Sequence, residues 1–338
     1  MLNISQFFDN CFPKERAMAE ILIVGFGNLG RGVVKALEIT EDMTLGGIFT
    51  RRPKEVRKEV DFVPVMDMRD AYLLKDNSDA VAILCGGSGD LETQMPFFTE
   101  MVPAVCSYDS HPDIGIYFQK VNLSAKKGKN TAIISAGWDP GLFSIIRILF
   151  DALLPRGTTY TFWGEGVSQG HSNEARKVKG VIDARQYTVP IKGAIDRVRR
   201  GELPYLAPRE MHKRIVYVVA KGDYDRIRDE IAFIPGYYEP YETEVIFISK
   251  EEMERDHSSL PHGGFVLRSG LTGENKQLLE FSLALESNPE FTASVLVACA
   301  RAALKMKKEG KTGAFTMVDA VPYLSPRSWE NLLENRFV

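Results

Sequence analysis

Cysteine and histidine are both scarce, four and five in 338 residues. Cys11, Cys85, Cys106 and Cys299 form no CxxC pair and no Cys/His ligand spacing, which argues against a zinc site and against a disulfide framework. No metal is expected. Three of the four sit in apolar runs, where a free buried thiol is common, and a reducing cytoplasm is the simplest compartment. No apolar run approaches the ~18 residues needed to span a bilayer, so no membrane role is expected. A formal net charge of -3 without a basic stripe gives no electrostatic ground for a nucleic-acid partner. Residues 1–17 carry Phe7, Phe8 and Phe12 but lack the cationic start, apolar run and cleavage site of a signal peptide. They read as a tail, or as an upstream start with Met18 as the functional one.

What remains is an ordinary globular composition, 44% hydrophobic and 26% charged, in a chain long enough for two lobes. Ile21–Val24 is a β-branched run that meets Gly25, the pattern of a buried parallel strand feeding a tight turn. A helix is expected over Arg31–Ile39 and strands over Met43–Thr50, Asp79–Cys85, Pro103–Ser107 and Thr131–Ser135. This alternation across residues 18–145 predicts an α/β, Rossmann-type doubly wound parallel sheet. From Thr158 the texture changes to longer strands at Tyr160–Trp163, Ile215–Val219, Glu244–Ile248, Phe265–Leu267 and Leu278–Leu285. An α+β domain with a mostly antiparallel sheet is expected over 146–304. Thr292–Lys308 reads as an Ala-rich helix, and Gly313 onward as coil and a short helix. The end, about 305–338, is expected to pack back on the first domain.

Gly25, Phe26, Gly27, Asn28, Leu29 and Gly30 spell G-x-G-x-x-G between a strand and a helix. There the glycines permit the turn, the approach of a pyrophosphate and close helix–strand packing. NAD enzymes normally end the second strand with a carboxylate. Here Thr50, Arg51 and Arg52 stand in its place, a hydroxyl and two guanidiniums suited to a 2′-phosphate. The cofactor expected is NADP, passing Cys85, Gly86, Gly87 and Ser88 and then the Tyr108–His111 stretch.

Three further loops are polar and rich in glycine: Gly137–Gly141, Phe162–Ser172 and Pro261–Gly264. Each also has a plain structural reading, because Trp-Asp-Pro-Gly makes a good turn and cap and Trp163 can serve a core.

Taken together, these stretches resemble meso-diaminopimelate dehydrogenase. The resemblance rests on Val24–Arg31, Ile48–Arg52, Tyr108-Asp109, Gly137–Gly141, Phe162–Gly164, Ser168–Ser172, Gln186–Thr188, His212–Arg214, Pro261–Gly264, Asn288–Ser294 and Gly313–Thr316. It runs from about residue 20 to the C-terminal region and leaves the first 17 residues uncovered. Thr50 stands where the family carries Ser and keeps the hydroxyl.

The resemblance implies a homodimer in lysine and cell-wall precursor synthesis. Its reaction is the reversible, NADP-dependent oxidative deamination of the D-centre of meso-diaminopimelate to L-2-amino-6-oxopimelate, which cyclises to tetrahydrodipicolinate, with loss of ammonia. It implies that Asp109, Asp139, Trp163, Gln169 and Gly170 surround the D-centre, with Asp113, Trp138, Phe143 and Val167 also on the substrate. Thr188, Arg214, His262 and Asn288 would hold the distal L-centre. His111, Pro112, Asp113, Pro140, Gly141 and Leu142 would join the cofactor set. The chemistry agrees, because a substrate with two carboxylates and two amines needs both signs of charge at two places. Asp109 and Asp139 are the catalytic candidates, and which of them is the base stays open. Two other readings also stay open: a different Rossmann reductase or amino-acid dehydrogenase, and a non-catalytic NADPH-binding sensor.

Overall fold

The computed structural model describes residues 19–76, 80–110 and 113–337, and the chain divides into two compact units. The tail expected over residues 1–17 lies outside the described residues. Unit 1 holds the residues up to Leu142 together with those from Thr292 onward, and unit 2 holds Phe143–Phe291.

Unit 1 opens with β1 (Ala19–Val24), whose Ile21–Val24 run is buried on both faces as a central parallel strand requires. Helix α1 (Asn28–Glu38) follows and turns Val33, Ala36 and Leu37 inward at helical spacing. Then come β2 (Met43–Thr50), β3 (Val65–Asp67), β4 (Ala80–Leu84), α2 (Ser88–Thr99), β5 (Ala104–Cys106), α3 (Ile114–Lys127) and β6 (Thr131–Ile134). With the C-terminal strand β14 (Gly313–Thr316) they make one seven-stranded sheet of order β14-β6-β5-β4-β1-β2-β3. Every pairing in it is parallel. The order reverses at β1, so the crevice for a nucleotide lies at the carboxyl ends of β1 and β4.

Unit 2 contains α4 (Phe143–Leu153), β7 (Gly157–Trp163), β8 (Gly166–Ser168), α5 (Gln169–Arg176), β9 (Val181–Pro190), α6 (Lys192–Arg199), β10 (His212–Ala220), α7 (Tyr224–Ala232), β11 (Glu242–Phe247), α8 (Lys250–Asp256), β12 (His262–Thr272) and β13 (Asn275–Leu285). The strands form two sheets, a four-stranded β11-β10-β9-β8 and a three-stranded β13-β12-β7. All pairs are antiparallel except β10 with β11, whose crossover runs through α7. Ala175, Ala184, Val216, Val218, Ile227, Ile231, Tyr238 and Val245 pack α5 and α7 onto one face of the larger sheet. Tyr160, Phe162, Ala194, Ile195, Val198 and Leu267 close the smaller one.

Helix α9 (Asn288–Lys308) leads to β14 (Gly313–Thr316) in unit 1. There β14 pairs with β6, and Arg301 holds Asp42 through two bonds of 2.6 and 2.8 Å. Three expectations need correction. The first helix starts at Asn28 rather than Arg31, because Gly27 serves as the N-cap and Asn28, Leu29 and Gly30 already form its first turn. The long helix starts at Asn288 rather than Thr292, with Pro289 in the first turn, where its missing N–H costs nothing. Gly313–Thr316 is a strand and not coil. Four residues are too few to show a period, and only pairing with β6 makes them extended.

Candidate functional site

In unit 1 the glycine turn has little latitude. The Gly25 N–H donates to the Phe49 carbonyl at 2.8 Å and its φ is +94°. A Cβ on Gly30 would lie 2.5 Å from the Gly25 carbonyl oxygen, whereas one on Gly27 would meet nothing within 4 Å among the described residues. Gly27 caps α1 without a side-chain bond and has open space around it, so the first N–H groups of the helix, from Asn28 and Leu29 onward, face that space at the turn that Phe26 leads into. That is a fit for a pyrophosphate.

Thr50 is buried and accepts from the Arg52 N–H at 3.2 Å. Arg51 pairs with Asp90 at 3.0 Å and Arg52 with Glu55 at 3.1 Å, both with largely exposed side chains. Exposed pairs of this kind are worth only about 0–1 kcal/mol, so a phosphate dianion can displace Asp90 and Glu55. Neither partner is legible in the sequence.

At the end of β4, Gly86 faces the Asp90 side chain and Gly87 caps α2 with open space around it. Burial pushes the Cys85 thiol up, which favours its protonated form. The Ser88 hydroxyl donates to Asp109 Oδ1 at 2.5 Å, which joins the ends of β4 and β5. The adjacent Tyr108 ring stacks on Tyr117, centroids 3.8 Å apart, and anchors this loop to α3. Asp113 caps α3 and accepts from the Ser110 hydroxyl at 3.0 Å. His111 and Pro112 lie outside the described residues.

Beyond β6, Trp138 is buried and Asp139 and Pro140 are half-buried, joined by a cis peptide bond. Gly141 has φ +129°, and the Leu142 N–H donates to the Gly137 carbonyl at 2.9 Å. Asp109 and Asp139 thus both stand at the carboxyl edge of the parallel sheet, after the neighbouring strands β5 and β6.

In unit 2 the cross-strand register places Thr188 directly opposite Arg214. The Arg214 guanidinium donates to Thr188 Oγ1 and lies 3.9 Å from the centroid of the Tyr241 ring. It is 4% exposed and has no carboxylate partner among the described residues. Burial pulls its affinity for the proton down, though a guanidinium stays charged. The His212 ring stacks on Trp163 at 5.2 Å, and its Nε2 accepts from the Trp163 N–H at 2.8 Å.

Gln169 and Gly170 open α5, where the Ser168 hydroxyl bonds His171 Nδ1 at 2.8 Å. Val167 is buried, its N–H donating to the Pro261 carbonyl at 2.8 Å, and a Cβ on Gly166 would collide with His262 Cα. These contacts bring His262 to the strand end that carries Thr188. Asn288 joins them, its N–H donating to the Leu260 carbonyl at 2.9 Å. Phe143 is a different case: it is wholly buried and packs edge-on to Phe281. Individual roles for Gln186, His212 and Tyr241 are not legible in the sequence, because only strand register and ring stacking bring them in.

Burial and the Arg214 charge push His212 down to about 3, and burial, Arg214 and His262 do the same to His171. Both rings are therefore neutral in the folded chain, while an unfolded histidine takes up its proton near pH 6.5. Below that pH the unfolded state binds more protons, so stability falls as acid is added. Tm is expected to drop between pH 7 and pH 5, and less steeply in His212→Gln. Equal slopes in the two proteins would exclude His212 as a source.

A seven-stranded parallel sheet with this glycine turn and an appended α+β unit defines a Rossmann-fold, dinucleotide-dependent oxidoreductase. Residues 137–287 match the C-terminal domain of diaminopimelic acid dehydrogenases. The meso-diaminopimelate D-dehydrogenase of Ureibacillus thermosphaericus is 50% identical over 317 residues, 92% of this chain and 96% of that protein. That of Corynebacterium glutamicum is 41% identical over 315 residues, 93% and 97%. A solved C. glutamicum DAP dehydrogenase in complex with DAP matches with a TM-score of 0.89, covering 94% of this chain and 99% of the other. An engineered D-amino acid dehydrogenase bound to NADP+ matches at 40% identity and a TM-score of 0.85, with the same coverage. The chain belongs to the meso-diaminopimelate D-dehydrogenase family.

Proposed function

We propose that this chain catalyses the reversible, NADP-dependent oxidative deamination of the D-centre of meso-diaminopimelate, giving L-2-amino-6-oxopimelate and ammonia. The observation that carries the reading is the buried Arg214 guanidinium beside the Thr188 hydroxyl, with no carboxylate of the described chain to meet it. A buried, unpaired cation is costly unless a ligand brings the countercharge, and a diamino diacid brings it at its far end.

Thr188, Arg214, His262 and Asn288 hold that distal centre in this reading. Trp163, Gln169 and Gly170 serve the reacting centre in this reading, and Asp113, Trp138, Phe143 and Val167 are its further substrate contacts. Asp109 and Asp139 receive the reacting ammonium, and one of them takes its proton before the C–H bond breaks. NADP+, when bound, supplies the hydride acceptor. The glycine turn would hold its pyrophosphate, Thr50, Arg51 and Arg52 its 2′-phosphate, and Cys85, Gly86, Gly87, Ser88, Pro140, Gly141 and Leu142 its remaining contacts. Water then attacks the substrate imine and ammonia leaves. Two copies of the chain form the working enzyme in the cytoplasm, supplying or consuming a precursor of lysine and the cell wall. Among the described residues no helix is long and apolar enough to cross a membrane.

The decisive assay compares meso-, LL- and DD-diaminopimelate with NAD+ and NADP+, following reduced nicotinamide by absorbance. Turnover is expected with the meso isomer and NADP+. Cofactor binding without turnover of any diamino diacid would instead favour a sensor. Alanine at both Arg51 and Arg52 should lower kcat/KM for NADP+ roughly tenfold, a solvent-screened charge-assisted contact, and leave NAD+ nearly unaffected. An equal loss with both cofactors would remove the pair from the 2′-phosphate.

A further inference from the structure

We infer that Gln186 is a positioning residue that determines specificity at the distal end of the substrate, by fixing the Thr188 hydroxyl as a hydrogen-bond donor. The inference rests on the reading of Arg214 and Thr188 as the distal carboxylate site.

Gln186 and Thr188 stand two residues apart on one face of β9, with 0% and 2% of their surface exposed. Gln186 Nε2 donates to Thr188 Oγ1 at 3.2 Å, and the Arg214 guanidinium donates to the same oxygen. A hydroxyl has two lone pairs and one proton. With both lone pairs taken, the Thr188 proton is left for a third partner, and that partner has to be an acceptor. Arg214 offers only donors. The pair therefore presents donors alone, which suits a carboxylate and rejects an ammonium or the NH2 of a carboxamide.

The arrangement is poor for stability. Gln186 Oε1 and Arg214 Nε are both buried without a hydrogen-bond partner among the described residues. Leucine at 186 would fill much the same space beside Val216 without stranding an oxygen, and a polar group that lacks a partner is destabilising relative to an apolar one of similar shape. The backbone does not need the amide either, because the Gln186 N–H already donates to the Ser172 hydroxyl at 2.9 Å. The side chain is thus placed for what it does to Thr188.

The test is steady-state kinetics of the full chain with NADP+ and meso-diaminopimelate, beside thermal unfolding, for Gln186→Leu, Gln186→Glu and Arg214→Met. Gln186→Leu should raise KM roughly tenfold, the size of one well-placed hydrogen bond, with kcat little changed and Tm equal to or above the parent. Gln186→Glu should raise KM further, because its carboxylate pairs with Arg214 and competes with the substrate. A structural role would give the reverse for Gln186→Leu, a lower Tm with KM unchanged, and would overturn the inference. So would unchanged KM in both Gln186 variants while Arg214→Met raises it. If Arg214→Met also leaves KM unchanged, the carboxylate site itself is wrong.

Discussion

Replacing Arg214 with alanine should cost about two to three orders of magnitude in kcat/KM for meso-diaminopimelate while leaving NADPH affinity as it was. Truncating one partner of a buried, hydrogen-bonded charge pair typically costs 2–5 kcal/mol, and about 1.4 kcal/mol is tenfold. Much of that is the desolvation of a substrate carboxylate that then finds no cation. The fold should not suffer, since the guanidinium is itself buried without an ion-pair partner among the described residues. Tm and the Kd for NADPH from fluorescence titration separate the two effects. Turnover within about twofold of the parent would take Arg214 out of the site.

Alanine at Gly27 and at Gly30 should fail in different ways. At Gly27 the new methyl meets no atom of the described residues within 4 Å, so the chain folds with an unchanged Tm. The methyl then occupies the space where the pyrophosphate approaches, and NADPH affinity should fall by about ten- to a hundredfold through lost phosphate contacts. At Gly30 the methyl would lie 2.5 Å from the Gly25 carbonyl oxygen, so helix and strand must separate. Overpacking of this kind costs roughly 1–3 kcal/mol, and Tm should fall along with cofactor binding. If Gly27→Ala bound NADPH normally, the cofactor would not cross that turn.

Much of the nucleotide half is legible in the sequence. Its strands are continuous apolar runs, buried on both faces, and its glycine turn has a mechanism at each glycine. The expected second strand, Met43–Thr50, agrees with the fold at both ends. The differences fall at helix boundaries and at two short strands, Val65–Asp67, which the sequence did not suggest, and Gly313–Thr316, whose conformation comes from a neighbour far away in sequence. The proposed distal site is visible in the sequence only as separate polar loops and by resemblance. That Thr188 stands opposite Arg214 follows from the antiparallel register of β9 and β10, which a one-residue slip would destroy.

By itself the chain determined which segments could be strands or helices, where a pyrophosphate could approach, and the choice of guanidinium over carboxylate at residues 51 and 52. Those are local properties of φ, side-chain period and charge. Tertiary structure decided the rest: that Ser88 donates to Asp109, that Arg214 is buried without a countercharge from the described chain, and that Gln186 bonds one hydroxyl two residues away. Such facts depend on which strands pair and in what register, and pairing is a non-local choice that no window of sequence contains.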